Sequence, residues 1–253
     1  MRLYLAGLDK SENIINLYND TLRLTSFYNC TDKYIQKLIR IIGRENILLD
    51  SGAFTFRMHG LKGEDIDTYT KRYIDFINKY DIKYFFEMDI DMCAEELVKV
   101  KQLRKRIEDE TGKKCIPVWH KTRGIEEWKE IVDNYNYIAI GGITSALDKE
   151  YTSIIKRMVG YANKHKVKVH GLGYSRADVL TFGFYSADAT TWIGGQFGHI
   201  YYFDNDKKIP RYKKQDRTNK RIKKECLPDI IRHNYEVWYH YQKYLRKQGY
   251  WHE

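Results

Sequence analysis

Short runs of β-branched and aromatic residues alternate with amphipathic stretches along almost the whole chain. The runs are RLYLAG (2–7), LRLTSF (22–27), NILLDS (46–51), KYFFEMD (83–89), IPVWH (116–120), YIAIGG (137–142), VKVHGLG (167–173) and FYSADA (184–189). Between them, KYIQKLIRII (33–42), EDIDTYTKRYIDFINKY (64–80), AEELVKVKQLRKRIEDE (94–110) and KEYTSIIKRMVGYANKH (149–165) place apolar residues three and four apart with charges between. That spacing predicts helices with one face laid on a sheet. Strictly alternating βα units predict parallel strands, because each return crossover needs a helix. Eight strands with eight followers in 253 residues predict an α/β fold, the (β/α)8 TIM barrel. A doubly wound open sheet is the competitor. No GxGxxG follows the first strand, however, and GLGYSR at 171–176 lacks the third glycine and comes late. The alternation breaks at about 193–225, a basic insertion after the eighth strand, and a terminal helix is expected over 226–247. No repeat or Gly/Ser linker divides the chain, so 1–253 reads as one barrel domain.

Composition narrows the class further. Aromatics at 15% and only three prolines exclude a disordered chain. A mean hydropathy of −0.64 and the lack of an apolar run near 18 residues exclude a membrane-spanning helix. The N-terminus turns polar at Asp9-Lys10, unlike a signal peptide. The four cysteines (Cys30, Cys93, Cys115, Cys226) are scattered without a CxxC, which reads as reduced thiols and a cytoplasmic location. The net charge of +10 is concentrated rather than spread. Between Lys207 and Lys224 lie ten Lys and Arg against the single acid Asp216, so this stretch holds nearly all of the excess. One segment is built to meet something negative.

In a parallel barrel the C-terminal strand ends and the loops after them form the active face. Here those ends carry Asp50, Asp89, His120, Gly141-Gly142, His170-Gly171 and Asp188. A carboxylate directly after an apolar run is partly desolvated, so its pKa tends upward unless donors or cations hold the charge. An Asp after a strand also serves as an ordinary helix N-cap. Three in one mouth point to acid/base or nucleophilic work.

These residues resemble a known family. DSGAF at 50–54 is similar to the DSGG(F/Y) motif of tRNA-guanine transglycosylases, AIGGI at 139–143 to their AIGGL, and HGLGYSRADVL at 170–180 to their (M)GVGTPEDL. SADATTW at 186–192 falls where that family has its nucleophilic aspartate, and looks more like the DNA-guanine transglycosylases, which place 7-deazaguanines in DNA. The four matches come in family order on strands 3, 6, 7 and 8. The resemblance implies that Asp188 attacks C1′ of the sugar and that Asp50 is the general acid/base, an arrangement like that of retaining glycosidases. It implies base binding by Phe54 and His170 as opposite stacking partners, by Asp89 at the amide edge, by Gly141 and Gly142 through close backbone approach, and by Gly171. His120 stands where the tRNA enzymes carry Gln, and its role stays open.

The family's C-terminal zinc site, a Cys-x-Cys-x2-Cys with a distant His, is missing. Cys226, His233 and His240 recur at seven-residue spacing on one expected helix, about 10 Å apart, too far to share a zinc. No metal and no cofactor are expected. Asp89-x-Asp91 invites a divalent-metal reading, but transglycosylation needs no metal. The basic stretch takes the place of the zinc module, with Lys213, Lys214, Arg217, Lys220 and Arg221 as candidate phosphate contacts in an extended or partly helical loop. Tyr235, Trp238, Tyr239, Tyr241 and Tyr244 on the terminal helix suit core packing better than a stacking platform. The expected function is exchange of guanine for a 7-deazaguanine in DNA. The alternatives are a tRNA-guanine transglycosylase, a base-releasing N-glycosidase, and a silent barrel that only binds nucleic acid.

Overall fold

Each apolar run becomes a strand: β1 (Arg2–Ala6), β2 (Arg23–Ser26), β3 (Ile47–Asp50), β4 (Tyr84–Phe85), β5 (Val118–Trp119), β6 (Tyr137–Ile140), β7 (Lys168–Gly171) and β8 (Ser186–Ala189). The computed structural model describes residues 1–7, 14–59, 64–90, 96–142, 149–176, 178–197, 199–204, 209–214 and 227–248. All ladders among the eight strands are parallel, in the order β4-β3-β2-β1-β8-β7-β6-β5. The two ends of that sheet meet at a parallel bridge between Phe86 and Ile116, where Ile116 N–H donates to the Phe85 carbonyl at 2.8 Å and Glu87 N–H to the Ile116 carbonyl at 3.0 Å. The sheet thus closes on itself as a TIM barrel. β4 and β5 are short, and Pro117 beside the seam has no N–H to give a ladder.

Helices α1 (Asp32–Ile42), α2 (Ala53–His59), α3 (Ile66–Tyr80), α4 (Leu97–Thr111), α5 (Gly124–Asn134) and α6 (Lys149–Lys164) follow β2 to β6. Eight full helical followers are not found among the described residues. Among the described residues, β1 is followed by a 3-10 turn at Ile15–Leu17 and β7 by another at Val179–Phe182. The basic insertion is also more regular than expected. It contains an antiparallel hairpin, β9 (His199–Asp204) and β10 (Ile209–Lys214), with Pro210 opposite Phe203. A two-stranded ribbon gives each strand an open edge, which is where proline is tolerated.

The terminal helix α7 (Leu227–Gln248) packs on the hairpin and on β1, in the place of the last barrel helix. Its polar side chains are part of the joint. Gln242 Nε2 donates to the carbonyls of Leu3 and Leu22 at 2.6 and 3.1 Å, and the N-terminal amine donates to the Leu245 carbonyl at 3.0 Å. Asn234 is wholly buried, taking the Tyr201 N–H and donating to the carbonyls of Trp192 and His199. Tyr235, Trp238 and Tyr241 are core residues, and Tyr239 stacks on Tyr18 at 3.6 Å between ring centroids. No described helix is long and apolar enough to cross a membrane.

Strand side chains alternate between two apolar clusters, as the pleat requires. Leu3, Leu5, Ile47, Leu49, Phe85, Ile138 and Ile140 face the helices. Tyr4, Ala6, Leu48, Phe86, Val118 and Ala139 fill the barrel. That alternation decides where the polar strand ends point. Asp50 follows inward-facing Leu48 by two residues, His120 follows Val118, and Gly141 follows Ala139. Asp188 pairs in register with inward-facing Tyr4, and His170 with Ala139.

Candidate active site

Helix α3 holds the strand ends under two of the aspartates. Tyr69 donates its hydroxyl to the Ser51 carbonyl at 2.8 Å and Tyr73 to the Phe86 carbonyl at 2.8 Å, so Asp50 and the segment leading to Asp89 are fixed by buried phenols. A second support lies outside the barrel wall. Glu87 is wholly buried and accepts from Arg104 Nε at 2.6 Å, Arg123 Nη1 at 2.6 Å and the Val118 N–H at 2.8 Å. Arg104 also reaches Glu127 at 3.1 Å, and Lys101 joins Glu127 at 2.6 Å. This network ties α4 and α5 to the β4–β5 seam. The desolvation expected of a carboxylate after Phe85-Phe86 is complete at Glu87, whereas its partners Arg104 and Arg123 were not found from sequence, although a Glu inside the run KYFFEMD signals a buried charge that needs partners.

A cavity of about 510 Å³ opens at the C-terminal ends of the strands, the size of many small-molecule sites. Asp50, Phe54, Asp89, His120, Gly141 and Gly142 line it, so the barrel brings together six of the residues named from sequence. Phe54 and Met58, one turn apart on α2, are 71% and 59% exposed and offer a flat apolar wall. Arg57 between them is anchored by two hydrogen bonds to Glu96, at 2.8 and 3.0 Å. Opposite in chemistry is the pair Asp89 and His120, with His120 Nε2 3.2 Å from Asp89 Oδ2 and Ser51 Oγ 3.5 Å from Asp89 Oδ1. His120 occupies space that any side chain at 141 would take: a Cβ on Gly141 would stand 2.5 Å from His120 Cε1. The glycine is there for the imidazole as much as for a ligand.

Asp50 accepts the Gly52 N–H at 3.1 Å. Burial, and then the neighbouring Asp89 carboxylate, push its pKa up to about 7, with a smaller contribution from Asp188. The upward shift expected of a carboxylate behind an apolar run is thus realised at Asp50. Asp188, expected at the mouth, is 6% exposed and does not line the cavity; it is held through Oδ1 by the Gly173 N–H at 2.6 Å and lies 3.2 Å from His170 Nε2. The positive φ of Gly173, +67°, is a left-handed conformation that suits glycine, and it is this residue that presents its amide to the carboxylate.

Two further expectations need correction. His170, expected to stack on a base, is wholly buried and does not line the cavity; it sits between Ser186 and Asp188 and against the rings of Phe86 and Tyr4. Gly171 is also buried away from the cavity, and a Cβ there would meet the Phe184 ring at 2.9 Å. Leu172 takes the lining position instead. Of the candidate phosphate contacts, Lys213 and Lys214 end β10, while Arg217, Lys220 and Arg221 lie outside the described residues. Asp91 and Cys226 lie outside them as well. His233 donates from Nε2 to the Tyr201 carbonyl at 2.9 Å, and the described residues contain no cluster of three or more His, Cys, Asp or Glu able to hold a metal ion.

Comparison with known proteins gives the architecture. No family model matches the chain, and no curated protein matches it. Among solved structures, a proposed fructose-1,6-biphosphate aldolase from Coccidioides immitis aligns with 98% of this chain and 89% of its own at 10% identity, with a TM-score of 0.50. A mutant tryptophan synthase alpha-subunit from Pyrococcus furiosus aligns with 93% of this chain and 95% of its own at 12% identity, with a TM-score of 0.48. At 10% identity the likeness to the first speaks to the barrel alone.

Proposed function

We propose that this barrel is a pentosyltransferase that exchanges guanine for a 7-deazaguanine in DNA through a covalent intermediate on Asp188. The observation that carries the reading is the nearness of two unlike carboxyls: Asp188 is among the charges that raise the pKa of Asp50, and of the two only Asp50 lines the cavity. Asp50, near pKa 7, can be either protonated or ionised at neutral pH, while Asp188 accepts the Gly173 N–H and lies 3.2 Å from His170 Nε2. A retaining displacement at an acetal-like carbon needs such a pair.

An oxygen of Asp188 forms a bond to C1′ of the deoxyribose as the C1′–N9 bond breaks. The electron pair leaves with the base, and protonated Asp50 supplies its proton. After guanine departs, the 7-deazaguanine gives a proton to Asp50. It then forms its own bond to C1′ while the ester C–O bond breaks and Asp188 regains its charge. Two inversions restore the sugar configuration, and no oxidant or reductant is consumed. Phe54 and Met58 supply a face for a planar base, and Asp89 with His120 supplies a polar edge that accepts ring N–H groups. The charge at 207–224 supports a polyanionic substrate.

The test is incubation with labelled guanine and, separately, duplex DNA or tRNA. Label entering DNA is the expected result. Label entering tRNA alone would make the protein a tRNA enzyme, and release of guanine without incorporation would make it a glycosidase.

A further inference from the structure

Asp188 receives both of its hydrogen bonds on one oxygen. The Gly173 N–H and His170 Nε2 converge on Oδ1, and among the described residues Oδ2 accepts none. Behind His170 runs a chain of polar side chains that take no part in the base-exchange steps above. His170 Nδ1 lies 2.7 Å from Ser186 Oγ, which lies 2.6 Å from the Tyr137 hydroxyl. Three adjacent strands build it, with His170 and Ser186 in register across β7 and β8 and Tyr137 one strand further on β6.

Among the described residues, only one direction of the hydrogens satisfies every member. If Tyr137 donates to Ser186, Ser186 can donate to His170 Nδ1, and Nε2 then carries the hydrogen that faces Asp188. Run the other way, Nδ1–H would donate to Ser186 and Ser186 to Tyr137, leaving the Tyr137 hydrogen with no acceptor among the described residues. A hydroxyl hydrogen left without an acceptor costs free energy, which favours the first direction. Burial also pushes the Tyr137 phenol far above its ordinary pKa, so its hydrogen stays in place.

Resting on the transglycosylase reading, we infer that His170 is the positioning residue of the nucleophile, fixed by Ser186 and Tyr137 so that its Nε2–H holds Asp188 Oδ1 and leaves Oδ2 as the oxygen that bonds to C1′. The consequence falls mainly on the second half of the reaction. Once Oδ2 is esterified, Oδ1 is the ester carbonyl. When the Oδ2–C1′ bond breaks, its electron pair returns to the carboxylate and the new charge spreads onto Oδ1, where two N–H donors already wait. His170 therefore helps the ester leave.

Two measurements test this. Imidazole NMR of ¹⁵N-histidine-labelled protein, with His170 assigned by its loss in His170→Phe, should show the neutral Nε2–H tautomer, which Ser186→Ala should disturb. An Nδ1–H tautomer in the wild type would overturn the relay, whatever the reaction proves to be. The second measurement is the decay of the protein–DNA adduct on adding excess guanine. His170→Phe should slow it by about 10- to 100-fold, with KM for the base unchanged, and Ser186→Ala by a smaller factor. Should His170→Phe fail to fold, Ser186→Ala carries both measurements. Unchanged decay in the folded variants would remove His170 from its role while leaving Asp188 as nucleophile. A wild type that forms no adduct with any polynucleotide would instead remove the transglycosylase reading, and the nucleophile's positioning residue with it.

Discussion

An ionised Asp50 costs the fold what its raised proton affinity measures. Its pKa is about 7 in the folded chain, against an ordinary value near 3.8, so the folded state binds the proton more tightly than the unfolded one. The stability this contributes is fully present below about pH 4 and is lost as pH rises through 7. Asp50→Asn removes that slope. The gap in unfolding free energy between variant and wild type should widen in favour of the variant by about 2 kcal/mol from pH 5 to pH 8, since each tenfold change in proton affinity is worth about 1.4 kcal/mol and water at the cavity screens part of it. Urea titrations at the two pH values check this, and a constant gap would contradict it. The same variant should lower turnover by about 10²–10⁴, and the wild-type rate should show a limb near pH 7 that the variant lacks. An unchanged rate and pH profile would take the proton shuttle away from Asp50.

Elements behave as their buried polar partners dictate. Glu87 holds two arginines where strands β4 and β5 close the barrel, with its own side chain and that of Arg123 wholly buried. Glu87→Gln leaves Arg104 and Arg123 short of negative charge and should cost about 3–5 kcal/mol in denaturant unfolding. Breaking the exposed pair Lys105–Asp109 by Lys105→Ala should leave the midpoint where it was. Equal effects of the two changes would show that the network is not what fastens α4 and α5. This scale also shows what the sequence conveys. The eight strands were legible because each is an apolar run bounded by turn residues and helical periods. α5 begins at a glycine and α2 has seven residues, too few for a periodicity to stand out. The hairpin was missed because Pro210 and the surrounding charges read as a loop, while its pairing depends on packing against α7. Asp50, Asp89, His120 and Gly141 could be gathered from strand ends alone. His170 could not be placed correctly, because only the register of β7 against β8 reveals that its ring is occupied by Ser186 and Asp188.

At the scale of the molecule, charge and chemistry fall in different stretches of the sequence. The cavity residues Asp50 and Asp89 are acidic, whereas the excess positive charge lies at 207–224, after β9 and before α7. Neutralising Lys213, Lys214, Arg217, Lys220 and Arg221 together should weaken DNA binding across sequences. It should also flatten the salt dependence by about 0.9 in log–log slope for each phosphate that is no longer neutralised, while base binding in the barrel survives. A binding isotherm and salt slope indifferent to those charges would remove the grip. The proposed chemistry turns on whether a polynucleotide becomes bonded to Asp188. Rapid denaturation of protein incubated with duplex DNA, followed by digestion and mass spectrometry, measures this directly. Covalent catalysis predicts a deoxyribose adduct on the peptide that contains Asp188, absent from Asp188→Asn, which should lose exchange by many orders of magnitude. Exchange at wild-type rate in Asp188→Asn, or an adduct mapped to another residue, would contradict it.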